Sequence, residues 1–327
     1  MFTEDKELRL AEENENLYNS FNKNANKGMC FAAKEGRREL VEFFIEKGAN
    51  NWDKAMRYAA LGGHKDLVLL FIEKGANSWN MGMGYAALGG HKDLVLFFID
   101  KGANYWDLGM HYAARGGHKD LVDLFIKKGA NFWYLGIRGA FRGGHKDLVD
   151  FFDEKGANDI FGWNNCMADA AKGGHKDLVD YCISKGADNW DLALVDAAKG
   201  GHKDLVLFFI EKGANDWNGA MFYAVLGRNK EIIDLLIEKG STNWNEGMRG
   251  ASQKGDKELI DFFIGKGADD WNSGLCGAAR GGYYVLVLLF IDKGADDYEA
   301  AANHASAGGH ISLIDFFVDK GNLCISP

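Results

Sequence analysis

The chain has 327 residues, 47% of them hydrophobic, which is ample for a buried core, and no run of 18 apolar residues that would cross a membrane. Its formal net charge of −9 argues against nucleic acid as a partner, since a general grip on phosphate backbones needs clustered Lys and Arg. Five cysteines, odd in number and without metal spacing, indicate reduced thiols, and the start Met1-Phe2-Thr3-Glu4-Asp5-Lys6 lacks the basic-then-apolar order of a signal peptide; both point to a soluble, unsecreted intracellular protein.

Residues 1–22, where Leu8, Leu10, Leu17, Tyr18 and Phe21 stand among acids and asparagines, read as a degenerate helical cap. From residue 23 to 322 the chain repeats itself. A Lys-Gly pair recurs with Gly48, Gly75, Gly102, Gly129, Gly156, Gly186, Gly213, Gly240, Gly267, Gly294 and Gly321, so nine of ten intervals are 27 residues and one is 30. All nine tryptophans, from Trp52 to Trp271, keep the same period. A period of roughly 20 to 50 residues marks a solenoid, in which each repeat covers its neighbour's apolar face. The spacing predicts an all-α fold, an α-solenoid of about eleven helix-turn-helix repeats over 23–322, with 323–327 as a C-terminal tail.

One repeat, 48–75, shows the pattern. Gly48 ends the preceding helix, where a left-handed C-cap conformation suits glycine. Residues 50–53 connect and cap, the Asp53 position being mostly Asn or Asp, whose side chains accept from free helical N–H groups. A first helix is expected over 54–61, a stop at Gly62-Gly63, and a second helix over 64–74. Met56, Ala59 and Ala60 form the apolar side of the first helix, behind a small residue that lets neighbouring backbones approach. Leu67, Val68, Phe71 and Ile72 recur at intervals of three and four in the second, with Leu70 widening the stripe.

The period slips once, at Ile160-Phe161-Gly162, which either bulges or alters the superhelix between the fifth and sixth repeats. Further on, where most repeats read His-Lys-Asp, one reads Tyr283-Tyr284-Val285, with Leu288 in a position that is often Asp and Ile311 next replacing lysine. These residues are a candidate protein-binding patch and a route to self-association through the C-terminal end.

Most tempting motifs dissolve into the period. His64 and its equivalents hold one structural position, so successive ones lie about 10 Å apart along a stack and cannot share a zinc whose ligands lie at about 2 Å. They are expected to cap the turn and bond a neighbouring repeat. The tryptophans are expected to pack between elements, the sharper alternative being stacking of nucleic-acid bases. No catalytic, cofactor or metal residues emerge. Function is better sought where repeats differ, in the residue after Met56 and the one four further on, which share a helix face. There Arg57, His111, Arg115, Arg138 and Arg142, followed by Lys172 and Lys199 among acids, are candidate protein-binding residues, and the island at 111–142 suits an acidic peptide through paired guanidinium hydrogen bonds.

The repeat resembles the ankyrin repeat. The leucine of the familiar TPLHxAA motif falls on Met56, its histidine on Arg57, its alanine pair on Ala59 and Ala60, its Gly-His on Gly63 and His64, and its Gly-Ala-Asn ending on Gly75, Ala76 and Asn77. Six residues are missing where ankyrins build a β-hairpin finger, so the resemblance implies a finger-less stack whose first helices line a concave side. The phrases Gly-Gly-His-Lys-Asp-Leu-Val and Trp-Asn-x-Gly-Met look like the short ankyrin-like proteins of giant DNA viruses of the marseillevirus kind. That likeness implies a non-enzymatic scaffold binding a host or viral protein in the host cytoplasm, or alternatively a structural component of the virion.

Overall fold

The computed structural model describes residues 13–21, 24–157 and 162–321, and every regular element among them is helical. Eleven helix pairs follow one another from Ala25–Lys34 and Arg38–Glu46 to Tyr298–Gly308 and Ile311–Gly321. The stretch with Leu8 and Leu10, the slipped Ile160 and Phe161, and the tail 323–327 lie outside the described residues.

In the repeat read above, the first helix is Trp52–Gly62 and the second Lys65–Glu73. The first starts two residues earlier than expected because Asn51, not Asp53, is its N-cap, accepting from the Lys54 N–H at 3.2 Å. Both helices end in the same motif. Gly63 (φ 83°) and Gly75 (φ 108°) take the left-handed conformation. His64 N–H bonds Ala59 O and Ala76 N–H bonds Phe71 O, closing the last turn as a Schellman motif does. Glycine takes this conformation without strain; in the eighth repeat Arg228 adopts it instead, at φ 56°.

The apolar stripes go where the period puts them. Met56, Ala59, Ala60, Leu67, Val68 and Phe71 are wholly buried, Leu70 and Ile72 are half-buried, and Lys65, Asp66 and Glu73 face water. Helices of nine and eleven residues are too short to persist alone. Packing supplies their stability. The small residue before Met56 proves to serve its own repeat's second helix: a Cβ built on Gly82 would lie 2.6 Å from the Phe98 ring, and one on Gly109 2.4 Å from Phe125. The ring fills the space that glycine leaves. The sixth repeat exchanges both members, placing Cys166 and Cys182 at these positions, each wholly buried.

Only residues 74–78 separate Glu73 from Trp79, so no finger projects, as the shortened repeat predicts. Eight of the nine tryptophans open first helices, and Trp163 follows Gly162 in its own; Trp163 lies edge-on to Tyr181 at 5.7 Å and Trp244 beside Phe263 at 6.5 Å, each on the second helix of its own repeat.

Two side chains tie most repeats to their neighbours. Asp53 Oδ1 accepts from the backbone N–H groups of Asn77 (2.9 Å) and Ser78 (2.8 Å) in the next repeat. Asn80, Asp107 and Asn218 do the same one repeat on each time. The Asx residue therefore joins repeats and does not cap its own helix. At the other end, His64 Nε2 donates to Lys34 O (3.0 Å) and His91 Nε2 to Leu61 O (3.0 Å) of the repeat before. These rings cover the preceding turn, where a Cβ on Gly63 would sit 2.5 Å from His91.

The chain divides into two compact units, Met1–Gly162 and Trp163–Pro327. In the N-terminal unit, residues 13–20 form a helix ahead of the first pair. Tyr18 and Phe21 lie 6.2 Å from Phe44, and Glu15 pairs with Lys47 at 2.9 Å.

Candidate functional site

Within each unit the first helices pack directly on one another in a row, whereas direct contact between consecutive second helices is sparse. Residues at the positions of Lys54, Arg57, Tyr58 and Leu61 are spaced 0, 3, 4 and 7 along the first helix, so they share one stripe along that row. In the N-terminal unit this stripe carries Lys27, Lys34, Lys54, Arg57, His111, Arg115, Arg138 and Arg142, and no Asp or Glu stands at these positions. That is a cationic face on a chain of net charge −9.

The same positions in the C-terminal unit mix signs. Asp169, Asp196 and Glu246 stand among Lys172, Lys199, Arg249 and Arg280. Lys172 lies 3.6 Å from Asp196, and Arg249 bonds Glu246 at 2.5 Å while its guanidinium stacks 4.0 Å over Phe222. Lys199 sits 4.5 Å over the Tyr223 ring. Burial pushes the Asp196 carboxyl up, against the pull of Lys172. The two lysines expected to extend the basic island thus stand in a locally balanced environment.

Aromatic rings run through the cationic face. Tyr58 and Tyr85 lie 5.9 Å apart, and Tyr85 and Tyr112 5.4 Å. Tyr112 leans back over Gly84, where a Cβ would come 2.6 Å from its Cδ2. The ladder stops at Gly139, whose Cβ would meet His111 O at 2.3 Å, so the helix Trp133–Gly143 closes tightly on Trp106–Gly116. Burial raises the Tyr112 phenol and Tyr85 adds to it, while Arg115, Arg142 and Arg57 pull it back down. Burial likewise raises Tyr58. The ladder was missed in the sequence; its signal was three consecutive repeats with tyrosine two residues after Met56, Met83 and Met110.

The residues of the expected island stand at positions on this face. Arg57, Arg115, Arg138 and Arg142 are each half-buried. Arg57 Nε is sealed from solvent with no hydrogen-bond partner. The Arg138 guanidinium lies 5.4 Å from the Tyr134 ring centroid, and His111 Nδ1 is 2.8 Å from Leu135 O, so His111 also joins two repeats.

The C-terminal candidates separate into two roles. Tyr283 takes the histidine's place over the preceding turn, 2.5 Å from a Cβ built on Gly255. Tyr284 packs edge-on to Phe316 at 5.3 Å, in the position from which Lys119 reaches Phe151 and Lys176 reaches Phe208 in other repeats. Val285 is 79% exposed, Ile311 72% and Leu288 43%.

Among the described residues, no group of three His, Cys, Asp or Glu side chains is disposed to hold a metal, and no helix is long and apolar enough to cross a membrane. Cys30, Cys166, Cys182 and Cys276 are buried. Burial pushes the Cys30 and Cys276 thiols up to about 11, disfavouring the thiolate on which reactivity depends.

Comparison with family models agrees with this architecture. The family model of three tandem ankyrin repeats matches residues 29–107 and 167–246, and the single ankyrin-repeat model matches 110–135. No curated protein matches the chain. Among solved structures, the crystal structure of the human ASB11 ankyrin repeat domain is similar at 17% identity over 65% of this chain and 97% of that one, with a TM-score of 0.27. With the family models covering more than half of its length, and the stacked helix pairs and Gly-His turns those repeats require, the chain belongs to the ankyrin-repeat family, whose architecture is a non-catalytic scaffold.

Proposed function

We propose that this protein is an adaptor whose N-terminal unit captures an acidic segment of another protein on the first-helix face. The observation that carries the reading is the stripe from Lys27 to Arg142, cationic and aromatic and without a carboxylate at its positions. Guanidinium groups pair with carboxylates in bidentate fashion, and a one-signed face raises the encounter rate with an oppositely charged partner. Tyrosines between them offer broad contact area at small entropic cost. The tight staples between repeats hold these groups in fixed register, so little ordering is left to be done on binding.

Replacing Arg138 and Arg142 together by glutamate is expected to abolish capture of the native partner in a pull-down while leaving the urea midpoint unchanged. Undiminished capture by the double variant would contradict the reading.

A second reading, a structural component of a virus particle or assembly, is favoured by the exposed Val285, Leu288 and Ile311 at the C-terminal end, where lateral packing or self-association would cover apolar surface. The likeness of the repeat phrases to giant-virus proteins supports either role and leaves the partner as a host or a viral protein. Stoichiometric recovery in purified particles favours the structural role, and recovery with one host protein the adaptor. Light scattering that returns a monomer mass at every concentration removes self-association.

A further inference from the structure

In two consecutive repeats the residue ahead of the first helix is an exposed aromatic where most repeats place a polar cap. Asn51, Asn189, Asp216, Asn243, Asp270 and Asp297 each accept from an N–H of their own helix. Tyr105 and Phe132 hold the same position and make no such bond. Neither ring serves the core, since Tyr105 is 64% exposed and Phe132 43%. After Trp133, Tyr134 takes the place from which Asp53 staples the following repeat, and its ring centroid lies 5.9 Å from that of Phe132. Three polar positions that serve the fold elsewhere are therefore aromatic here. Local rules of this kind are broken at functional sites.

The two loops are fixed to each other. Asp107, two residues after Tyr105, accepts from the N–H groups of Asn131 (2.9 Å) and Phe132 (2.8 Å). The rings also adjoin the cationic face, because the Arg138 guanidinium lies 5.4 Å from the Tyr134 ring centroid. Lys127 and Lys128 are exposed five and four residues ahead of Phe132, and Lys127 stands where Glu46, Glu73, Asp100 and Glu154 stand in other repeats of this unit. The two residues ahead of each first helix are uncharged from Asn50 to Phe132, whereas Asp188, Asp216, Asp270 and Asp297 occupy those positions in the C-terminal unit.

Large rings presented from a fixed frame act as anchors in interfaces. Two of them cover at most about 500 Å², short of the roughly 800 Å² a side buried in a stable interface between folded proteins. They suit a single segment better than a second copy of this chain. The neighbouring cations suit acids on either side of that segment's apolar residue.

We infer that Tyr105 and Phe132, with Tyr134 beside Phe132, are the anchor for a large apolar side chain embedded in the partner's acidic segment. This rests on the adaptor reading and deepens it: the cations select the segment by charge, and the rings fix its position along the row of repeats.

The test selects random twelve-residue peptides, displayed on phage, against the full chain and against a double variant carrying Tyr105→Asn and Phe132→Asn. Asparagine is the cap at Asn51, so the variant is expected to keep or raise the urea midpoint, which checks that it folds. Wild type should enrich peptides that join acidic residues to a phenylalanine, tryptophan or leucine, and the variant acidic peptides without that residue. In fluorescence anisotropy, a labelled peptide from the wild-type set should bind the variant about tenfold or more weakly, and Val285→Ser on the other unit as it binds wild type. If that peptide binds wild type and the double variant alike, the anchor is overturned while the acidic-segment reading stands. If the wild-type set carries no excess of acids, the acidic-segment reading falls and the inference with it. Light scattering in which wild type dimerises and the double variant does not would assign the rings to a second copy and overturn the inference as well.

Discussion

At the scale of single residues, Asp53 shows why a repeat must be read together with its neighbour. An Asx residue near a helix start suggests a local cap, yet its oxygen accepts from Asn77 and Ser78, 24 and 25 residues on, and the local cap falls to Asn51. The residue type was legible in the sequence; its partner was not, because the bond exists only once two repeats are stacked. Burial acts to raise the Asp53 carboxyl, but the N–H groups of Asn77 and Ser78, the Ser78 hydroxyl and Arg57 together hold it below the ordinary carboxylate value. With the folded pKa lowered, this stabilisation is complete above the unfolded value and is lost as pH falls through the folded one, so it fades only below about pH 4. Asp53→Ala is expected to cost about 1–2 kcal/mol at pH 7, a range reduced for partial solvent exposure. Asp53→Asn, the residue used at Asn80 and Asn218, should be near neutral at pH 7 and lose less than the wild type at pH 3. Urea titrations at the two pH values check both. His91 repeats the lesson: its place at the turn was legible, but not the Leu61 carbonyl that it bonds.

At the scale of elements, helix count, apolar stripes and the missing finger were all legible, because each follows from spacing along the chain. What spacing concealed was the reason for the small residue before each Met56 equivalent, which becomes visible only when Phe98 is seen lying against Gly82. Removing that ring should open a large cavity: Phe98→Ala is expected to lower stability by about 3–5 kcal/mol. Equal urea midpoints for variant and wild type would refute this packing. Arg228 gives a prediction of opposite sign. It alone among the described non-glycine residues has a positive φ, and its side chain makes only half-exposed contacts with Asp256 (3.5 Å) and Lys254 O (3.3 Å). Because the left-handed conformation costs a side-chain-bearing residue about 1 kcal/mol and exposed ion pairs contribute little, Arg228→Gly should raise the urea midpoint slightly, by about 0.5 kcal/mol in stability. A fall in the midpoint would mean that the contacts outweigh the strain.

At the scale of the whole molecule, function lies in departures from the repeat. The arginines at 57, 115, 138 and 142 were legible because they occupy variable positions on one helix face. The tyrosine ladder was not, since a tyrosine two residues after methionine reads as ordinary core until Gly84 and Gly139 are seen to shape the space around it. Nor was the balance of the C-terminal unit, where Asp196 meets Lys172 through stacking of separate repeats. The central claim, that the first-helix face of the N-terminal unit holds an acidic segment, is tested most directly by carbodiimide coupling in the native complex, which joins lysines only to carboxylates in contact with them. Lys27, Lys34 and Lys54 are exposed on that face, and Lys92 and Lys119 are exposed on second helices. Mass spectrometry should find partner carboxylates joined to Lys27, Lys34 or Lys54; adducts confined to Lys92, Lys119 and other second-helix lysines would contradict the account.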